Sequence, residues 1–160
     1  MKEIVMLGVV LLVIACQQPT PATKGPIEGA WKVAEFSYTA PDTSYTNTSP
    51  QPSLYLFAKQ HYSIMVVTGT QPRVLFKERF QPTDSEKLAA YDYFVANSGT
   101  YEVTDSTITT NAIVAKSPNV MAGGSLPTYT YRVKGDSLWL TWSSIQQPEA
   151  KSRAKLVRLE

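Results

Sequence analysis

The amino-acid sequence predicts an all-β fold, an eight-stranded up-and-down antiparallel barrel with one helix between its third and fourth strands. Three observations support this prediction. Apolar residues recur mostly with a period of two from Ile27 onward, as they do in strands with one buried face. The chain contains nine Tyr, five Phe and three Trp, and aromatic residues favour strands. Finally, tight and long connections alternate along the chain.

Eight segments fit the strand pattern. They are residues 28–38, 53–58, 61–68, 99–104, 107–115, 127–134, 137–143 and 153–159. The tight connections, which carry turn-forming residues, are 59–60, 105–106 and 134–136. The long connections are 39–52, 69–98, 116–126 and 144–152. Because alternate connections of an up-and-down sheet lie at opposite ends, we expect a closed end with tight turns and an open end with long loops.

One helix is predicted over residues 83–96, inside the longest connection. Thr83 is followed three residues later by Glu86, which is the spacing of a capping box. A single apolar stripe would then consist of Leu88, Tyr91 and Val95. The run Asn97-Ser98-Gly99 is typical of a helix stop. This helix is expected to cover the open end of the barrel.

The N-terminal segment is predicted to target the chain to a membrane. Lys2 precedes an unbroken apolar run, Ile4 to Ala15, which is too short to span a bilayer comfortably and fits a secretion signal. The run ends in Val13-Ile14-Ala15-Cys16, which resembles a bacterial lipobox. The resemblance implies that residues 1–15 are a signal peptide and that Cys16, the only cysteine, carries lipid. The alternative is an ordinary signal peptide with an incidental cysteine.

A tether follows the predicted lipidation site. Residues 17–26 are QQPTPATKGP, a composition that favours an extended chain reaching ~30 Å. Gln17 rather than Asp follows the cysteine, and similarity to enterobacterial sorting rules then implies transfer to the outer membrane. We therefore expect a lipidated Cys16 and tether at 16–26 and a barrel domain at 27–160, anchored in the cell envelope and facing the periplasm.

The start of the predicted barrel carries a family signature. Gly29-Ala30-Trp31 resembles the G-x-W signature of the lipocalin superfamily. The segment Glu86 to Val103, EKLAAYDYFVANSGTYEV, is similar to the helix and strand of a bacterial lipocalin-like domain family. The resemblance spans roughly residues 27–143 and implies a calycin-type barrel, but that family has no single assigned activity. Val120 after Pro118-Asn119 is a departure, since family members often have an aromatic residue there.

Trp31 is expected to lie near the closed end, where the last strand also finishes. In lipocalins a basic residue of the last strand packs over the signature Trp. The resemblance therefore implies a structural pair of Trp31 with Arg158, with Lys155 as the alternative. A guanidinium over an indole ring contributes ~0.5–2 kcal/mol. Trp31 is thus predicted to plug the barrel rather than to bind a ligand.

The open half of the predicted interior is rich in aromatic residues. Alternation along the strands points one side-chain face inward, and the helix adds residues over the mouth. The residues predicted to contact a ligand are Phe36, Tyr38, Tyr55, Met65, Tyr91, Phe94, Tyr101, Ile113, Tyr129, Tyr131 and Trp142. An apolar pocket with phenol hydroxyls suits a hydrophobic ligand that bears a polar group. The alternative is that these side chains fill the barrel completely.

The first strand leaves one orientation open. Strict alternation from Trp31 points Glu35 and Ser37 inward, which buries a carboxylate at a cost unless it has a partner. A bulge would instead point Phe36 and Tyr38 inward. We favour the bulge.

No motif for catalysis, metal binding or nucleotide binding stands out in the sequence. His61 is the only histidine, and it follows a tight turn at the predicted closed end, away from the long loops. No metal or cofactor is therefore predicted. The formal charge of +2, from 15 basic and 13 acidic residues, forms no basic stripe, so nucleic acid is not a predicted partner.

The favoured interpretation is a non-catalytic, lipid-anchored monomer that binds a small hydrophobic or amphipathic molecule. Two alternatives stay open. One is an envelope protein-interaction module with a solid barrel core, in which loops 39–52 and 116–126 form the contact surface. The other is a cavity enzyme of isomerase or cyclase type. It requires a titratable group inside the barrel, and Glu35 is the candidate.

Overall fold

The computed structural model of the chain describes residues 25–124 and 126–159. The predicted signal peptide, Cys16 and most of the tether lie outside the described residues. The strands in the described part are β1 Gly29–Ala40, β2 Thr43–Asn47, β3 Ser53–Ala58, β4 His61–Val67, β5 Phe94–Val103, β6 Thr107–Ala115, β7 Tyr129–Lys134, β8 Ser137–Ser143 and β9 Lys151–Arg158. Its helices are α1 Asp84–Asp92 and α2 Pro118–Met121. No helix in these ranges is long and apolar enough to cross a membrane.

Eight of the strands form a closed antiparallel barrel. They follow the order β1-β3-β4-β5-β6-β7-β8-β9, and β1 pairs with β9 to close the ring. This confirms the predicted eight-stranded up-and-down topology. The tight turns, including the β7–β8 turn in which Gly135 has a φ of 55°, lie at one end because the strands alternate in direction. The long connections lie at the other end.

β2 is a strand that the sequence did not predict. It lies within the predicted loop 39–52 and pairs with the end of β1, from Phe36↔Asn47 to Ala40↔Thr43. β1 is long enough to pair with two strands along the same edge. Its first three residues pair with β3, and its last five pair with β2. The strand is polar and almost entirely exposed, so no apolar alternation marks it.

The structure confirms the start of the predicted helix and corrects its end. The Thr83 hydroxyl accepts a hydrogen bond from the Glu86 backbone N–H, and the Glu86 carboxylate accepts one from the Thr83 N–H at 2.7 Å. The predicted extension to residue 96 is wrong, because α1 ends at Asp92 and β5 begins at Phe94. The predicted apolar stripe is not buried either, since no residue of α1 is buried.

The closed half of the barrel is packed solid. Its fully buried large side chains are Trp31, Ile27, Ile108, Leu138, Leu140 and Leu156. All barrel strands and this core lie within residues 27–158. We therefore expect residues 25–160 to fold on their own.

One seam of the barrel is short. β6 and β7 share only two residue pairs, Thr107↔Thr130 and Ile108↔Tyr129. By contrast, β5 and β6 pair along seven positions, from Asn97↔Ala115 to Val103↔Ile108. The pairing between β6 and β7 is thus incomplete toward the open end of the barrel.

Candidate functional site: a cavity in the open half of the barrel

A cavity of about 660 Å³ lies in the open half of the barrel, within the ~300–1,000 Å³ that small-molecule sites usually have. Strand residues at its wall are Val33, Phe36, Tyr55, Ile64, Val66, Val67, Val95, Asn97, Tyr129, Trp142 and Ala154. Residues at its mouth are Tyr45, Asn47, Pro50, Gln51, Thr68, Gly69, Thr70, Leu126 and Pro127. The alternative of a solid barrel core is therefore wrong.

A bulge in β1 decides which side chains reach the cavity. The β1–β9 register runs from Val33↔Leu156 to Glu35↔Lys155 and then Phe36↔Ala154, so one extra residue interrupts β1. Phe36 consequently shares the inner face with buried Ala154, and Glu35 lies on the outer face with Lys155. The favoured bulge is present, and the interior carboxylate that a cavity enzyme required is not inside.

Four aromatic rings form a continuous wall along one side of the cavity, and a fifth, that of Tyr38, extends it at the rim. Ring centroids are 5.4 Å apart between Tyr129 and Trp142, and 6.1 Å apart between Trp142 and Phe36. Tyr45 continues the wall at 6.1 Å from Phe36 and 5.8 Å from Tyr38. Spacings of this kind are those of favourable aromatic pairs. The wall offers a rigid, mostly apolar contact surface.

Small residues of β9 allow these rings to meet. Ser152 pairs with Tyr38 on one side and with Trp142 on the other. Ala154 lies next along the inner face and pairs with Phe36. Because the small side chains of Ser152 and Ala154 leave space on the inner face of β9, aromatic rings from β1 and β8 can pack over this strand.

Two cavity-lining tyrosines mark the end of the cavity that adjoins the buried core. Tyr55 pairs with the plug residue Trp31, and Tyr129 pairs with fully buried Ile108. The buried hydroxyls of Tyr62 and Thr110 lie close to each other, but neither forms a hydrogen bond of good geometry within the described part of the chain. A buried polar group without a partner is costly. This end of the cavity is therefore suited to a polar atom of a ligand.

Burial keeps these phenols protonated. It raises the pKa of Tyr55 from 10.0 to about 12. It raises the pKa of Tyr129 further, and the nearby Tyr55 and Tyr62 phenols add to that shift. The pKa of Tyr62 is also raised by burial, partly offset by the neighbouring Thr110 hydroxyl. All three are neutral hydrogen-bond donors at physiological pH.

These pKa shifts predict alkaline destabilisation. Below the ordinary tyrosine pKa of 10.0, these tyrosines are protonated in both the folded and the unfolded chain. Their contribution to the free energy of unfolding is then fully present. Above that pKa, the unfolded chain loses protons that the folded barrel retains, so the free energy of unfolding falls by about 1.4 kcal/mol per pH unit for each residue. Urea denaturation between about pH 9 and about pH 11.5 should show the slope. The double variant Tyr55→Phe/Tyr129→Phe should flatten this slope.

Trp31 plugs the closed end beneath the cavity. Its side chain is 0% exposed, and its Nε1 donates a hydrogen bond to the Ile27 carbonyl at 2.8 Å. The Arg158 guanidinium lies 4.0 Å from the centre of the indole ring and donates to the Glu28 carbonyl. Lys155 lies on the outer face instead, 6.0 Å from Trp139. Arg158 is therefore the basic partner of Trp31.

The sequence was compared with known families and proteins. A model of the lipocalin-like domain family matches residues 28–158. The chain belongs to the lipocalin-like domain family. The match begins beside the plug residue Trp31 and ends at its partner Arg158, so it includes every strand of the barrel. A search of curated proteins found no match. Membership in this family supports a fold of the ligand-binding type.

Four of the residues predicted to contact a ligand line the cavity of this lipocalin-like domain, namely Phe36, Tyr55, Tyr129 and Trp142. Tyr38 lies at the rim, where its hydroxyl donates to Gln147 Oε1 at 3.0 Å. Tyr101 and Tyr131 belong to the closed half. The Tyr101 ring packs edge-on against Phe57 at 5.3 Å, and the Tyr131 hydroxyl donates to the Thr104 carbonyl at 2.9 Å.

The structure does not bring four other predicted residues to the cavity. Met65 pairs with Leu54 on the outer face of β4, one position out of phase with Ile64. Ile113 is the extra residue of a bulge in β6 and is exposed. Tyr91 lies on the exposed helix α1 beneath Lys116. Phe94 faces away from the cavity, with Arg73 5.2 Å from its ring centre.

Other cavity residues were missed by sequence reasoning. Val95 and Asn97 lay within or just after the predicted helix, although they alternate as strand residues do. Val66 and Ile64 alternate with Tyr62 along β4, and this pattern could have identified them. Tyr45 lies on a polar strand with no apolar alternation, so only its aromatic character could have indicated a role.

The structure offers no metal site in its described ranges, since no group of three His, Cys, Asp or Glu side chains comes together there. A second depression, of about 520 Å³, lies outside the barrel between residues 69–76 and α1. It is lined by Arg73, Phe76, Ala89, Ala90 and Tyr93 among others. The neighbouring chain exposes Val74, Leu75 and Phe80 almost completely, at 87%, 87% and 86%.

Proposed function

We propose that this lipocalin-like protein is a lipid-anchored envelope protein that binds a small hydrophobic or amphipathic molecule in its barrel cavity, without catalysis. The observation that carries the proposal is the cavity of about 660 Å³, walled by aromatic and aliphatic side chains and open at one end. Such a space buries the apolar part of a ligand. The family supplies the same kind of fold.

The anchoring part of the proposal rests on the N-terminal sequence. The apolar run before Cys16 and the polar tether after it would attach the barrel to a membrane, and we propose the periplasmic face of the outer membrane. Several acyl chains on one cysteine give stable anchoring, since each buried methylene contributes ~0.8 kcal/mol. Mass spectrometry of the membrane-extracted protein showing an unmodified Cys16 would rule this part out.

Blocking the cavity should abolish binding of a neutral hydrophobic dye. Val95 faces the cavity from β5, close to its mouth, so the indole of Val95→Trp would occupy the space. We expect N-phenylnaphthylamine to bind the wild-type barrel with enhanced fluorescence, and Val95→Trp to weaken binding roughly tenfold or more. A fluorescence titration of residues 25–160 measures the effect.

Val114→Trp is the matched control for this experiment. Val114 lies on the neighbouring strand β6, pairs with Ser98 and is exposed. The same substitution there adds the same indole to the outside and should leave dye binding unchanged. Equal weakening in both variants would contradict binding inside the barrel, and so would a wild-type protein that binds neither the dye nor any copurifying small molecule.

A protein-interaction role is a second candidate, and the exposed apolar residues favour it. Val74, Leu75 and Phe80 protrude at the open end, and contiguous exposed apolar surface often marks an interaction site. This surface differs from loops 39–52 and 116–126, which the sequence indicated for such a role. Photo-crosslinking in cells from position 75 that captures no protein would exclude this role for the segment.

A further inference from the structure

We infer that the cavity binds an electrically neutral molecule, which enters polar group first so that its carbonyl, amide or hydroxyl oxygen accepts hydrogen bonds from Tyr55 and Tyr129. This inference rests on the proposed binding function. It adds two properties of the bound molecule, its charge and its orientation, and each follows from a different feature of the cavity.

The expected charge of the bound molecule follows from the residues that line the cavity. Among the described residues that line the cavity, none is Asp, Glu, Lys, Arg or His. A carboxylate or ammonium group taken into such a space would lose its water and find no opposite charge, which is costly. Two basic side chains of β9 are held elsewhere, since Lys155 lies outside against Trp139 and Arg158 covers Trp31.

The orientation follows from the position of the hydroxyl groups. Tyr55 and Tyr129 lie at the inner end, beside the buried residues Trp31 and Ile108. The rest of the wall is formed by Phe36, Trp142 and aliphatic side chains, and the polar side chains that also line the cavity, Asn47, Gln51, Thr68, Thr70 and Asn97, are at least partly exposed. Water can satisfy these exposed polar groups, whereas the more deeply buried phenols need a partner from the ligand. A molecule with one polar group and one apolar part therefore matches the cavity when the polar group points inward.

The Tyr62 and Thr110 hydroxyls, which neighbour each other without a well-formed hydrogen bond, support the same orientation. Both are buried and lack a good hydrogen-bond partner within the described part of the chain. They lie close enough to the Tyr129 phenol for its ionisation to depend on Tyr62. An oxygen atom placed at Tyr129, alone or with one water, would complete this group of hydroxyls.

A set of ten-carbon probes tests the charge. Decanol, methyl octyl ketone, decanoate and decane share a similar apolar length and differ in their polar ends. Each would be titrated against N-phenylnaphthylamine bound to residues 25–160 at neutral pH. We expect decanol and the ketone to displace the dye at concentrations roughly tenfold or more below that of decanoate.

Tyrosine variants test the orientation. Tyr129→Phe and Tyr55→Phe should each weaken decanol binding by roughly two- to tenfold, the loss of one hydrogen bond, and leave decane binding unchanged. Tyr131→Phe is the matched control, because its hydroxyl already donates to Thr104 outside the cavity. It should alter neither probe.

The outcomes separate this inference from the function on which it rests. Decanoate binding as tightly as decanol would overturn the neutral charge. Equal losses for decanol and decane in Tyr129→Phe, or a loss for decanol in Tyr131→Phe, would overturn the orientation. In both cases the dye still binds, so the binding function stands. Failure of the dye and of all four probes to bind would instead overturn the binding function itself.

Discussion

Replacing Trp31 with alanine is expected to lower the free energy of unfolding by about 3–5 kcal/mol. The side chain is completely buried and closes the barrel beneath the cavity. Its loss leaves a void among Leu138, Leu156 and their neighbours, removes the hydrogen bond to the Ile27 carbonyl and uncovers Arg158. Because a domain of this size is stable by only ~5–15 kcal/mol, this is a large part of the total.

Trp139→Ala is the matched control. Trp139 lies on the outer face of β8, partly exposed, with Arg132 4.4 Å from its ring centre. Its removal should cost about 1 kcal/mol, since water replaces most of its contacts. Urea denaturation followed by far-ultraviolet circular dichroism measures both variants. Equal losses would contradict the role of Trp31 as a plug. If Trp31→Ala does not fold, Trp31→Phe should still be less stable than Trp139→Ala.

The barrel topology could be predicted because it depends on local signals that agree with one another. Alternation within strands, turn residues between them and the order of tight and long connections all indicate the same meander. The end of the helix could not be predicted in the same way. Residues 93–96 continue the spacing of the helix as well as that of a strand, and pairing with β4, from Val67↔Phe94 onward, makes them a strand. That pairing is not local.

The cavity was only partly predictable for a related reason. A shift of one residue moves a side chain to the opposite face of a sheet. The bulge in β1 was anticipated from the cost of burying Glu35, and it places Phe36 correctly. The bulge in β6 carries no such signal, so Ile113 was expected inside and lies outside. Tyr45 reaches the cavity from β2. This strand exists because β1 extends far enough to pair with it, and no local pattern in the sequence marks it.

The closed half of the barrel supplies most of the stability, and the open half contains the proposed binding site. The closed half holds the fully buried side chains, whereas the open half keeps a cavity beside exposed loops. Tyr55 and Tyr129 belong to both, because their rings pack in or against the core and the same residues line the cavity. Substitutions that remove only a hydroxyl therefore separate binding from folding, and those that remove a ring do not.

Gly99→Ala is expected to destabilise the barrel by about 3 kcal/mol or more, although the sequence indicated only a helix stop and the start of a strand at this position. Gly99 lies in β5 opposite the bulge of β6. A Cβ atom there would lie 2.0 Å from the Asn111 carbonyl oxygen and 2.8 Å from the Ile113 nitrogen. Both are backbone atoms, so the clash can be relieved only by separating the two strands.

Gly135→Ala provides the control, since it also replaces a glycine with alanine, here in the tight turn between β7 and β8. Gly135 has a φ of 55° but no atom within 4 Å of the added Cβ, so its variant should lose only about 1 kcal/mol from backbone strain. Urea denaturation compares the two. Gly99→Ala should also weaken dye binding, because Val95 and Asn97 lie on the same strand at the cavity wall. A Gly99→Ala barrel as stable as Gly135→Ala would contradict the close approach of β5 and β6.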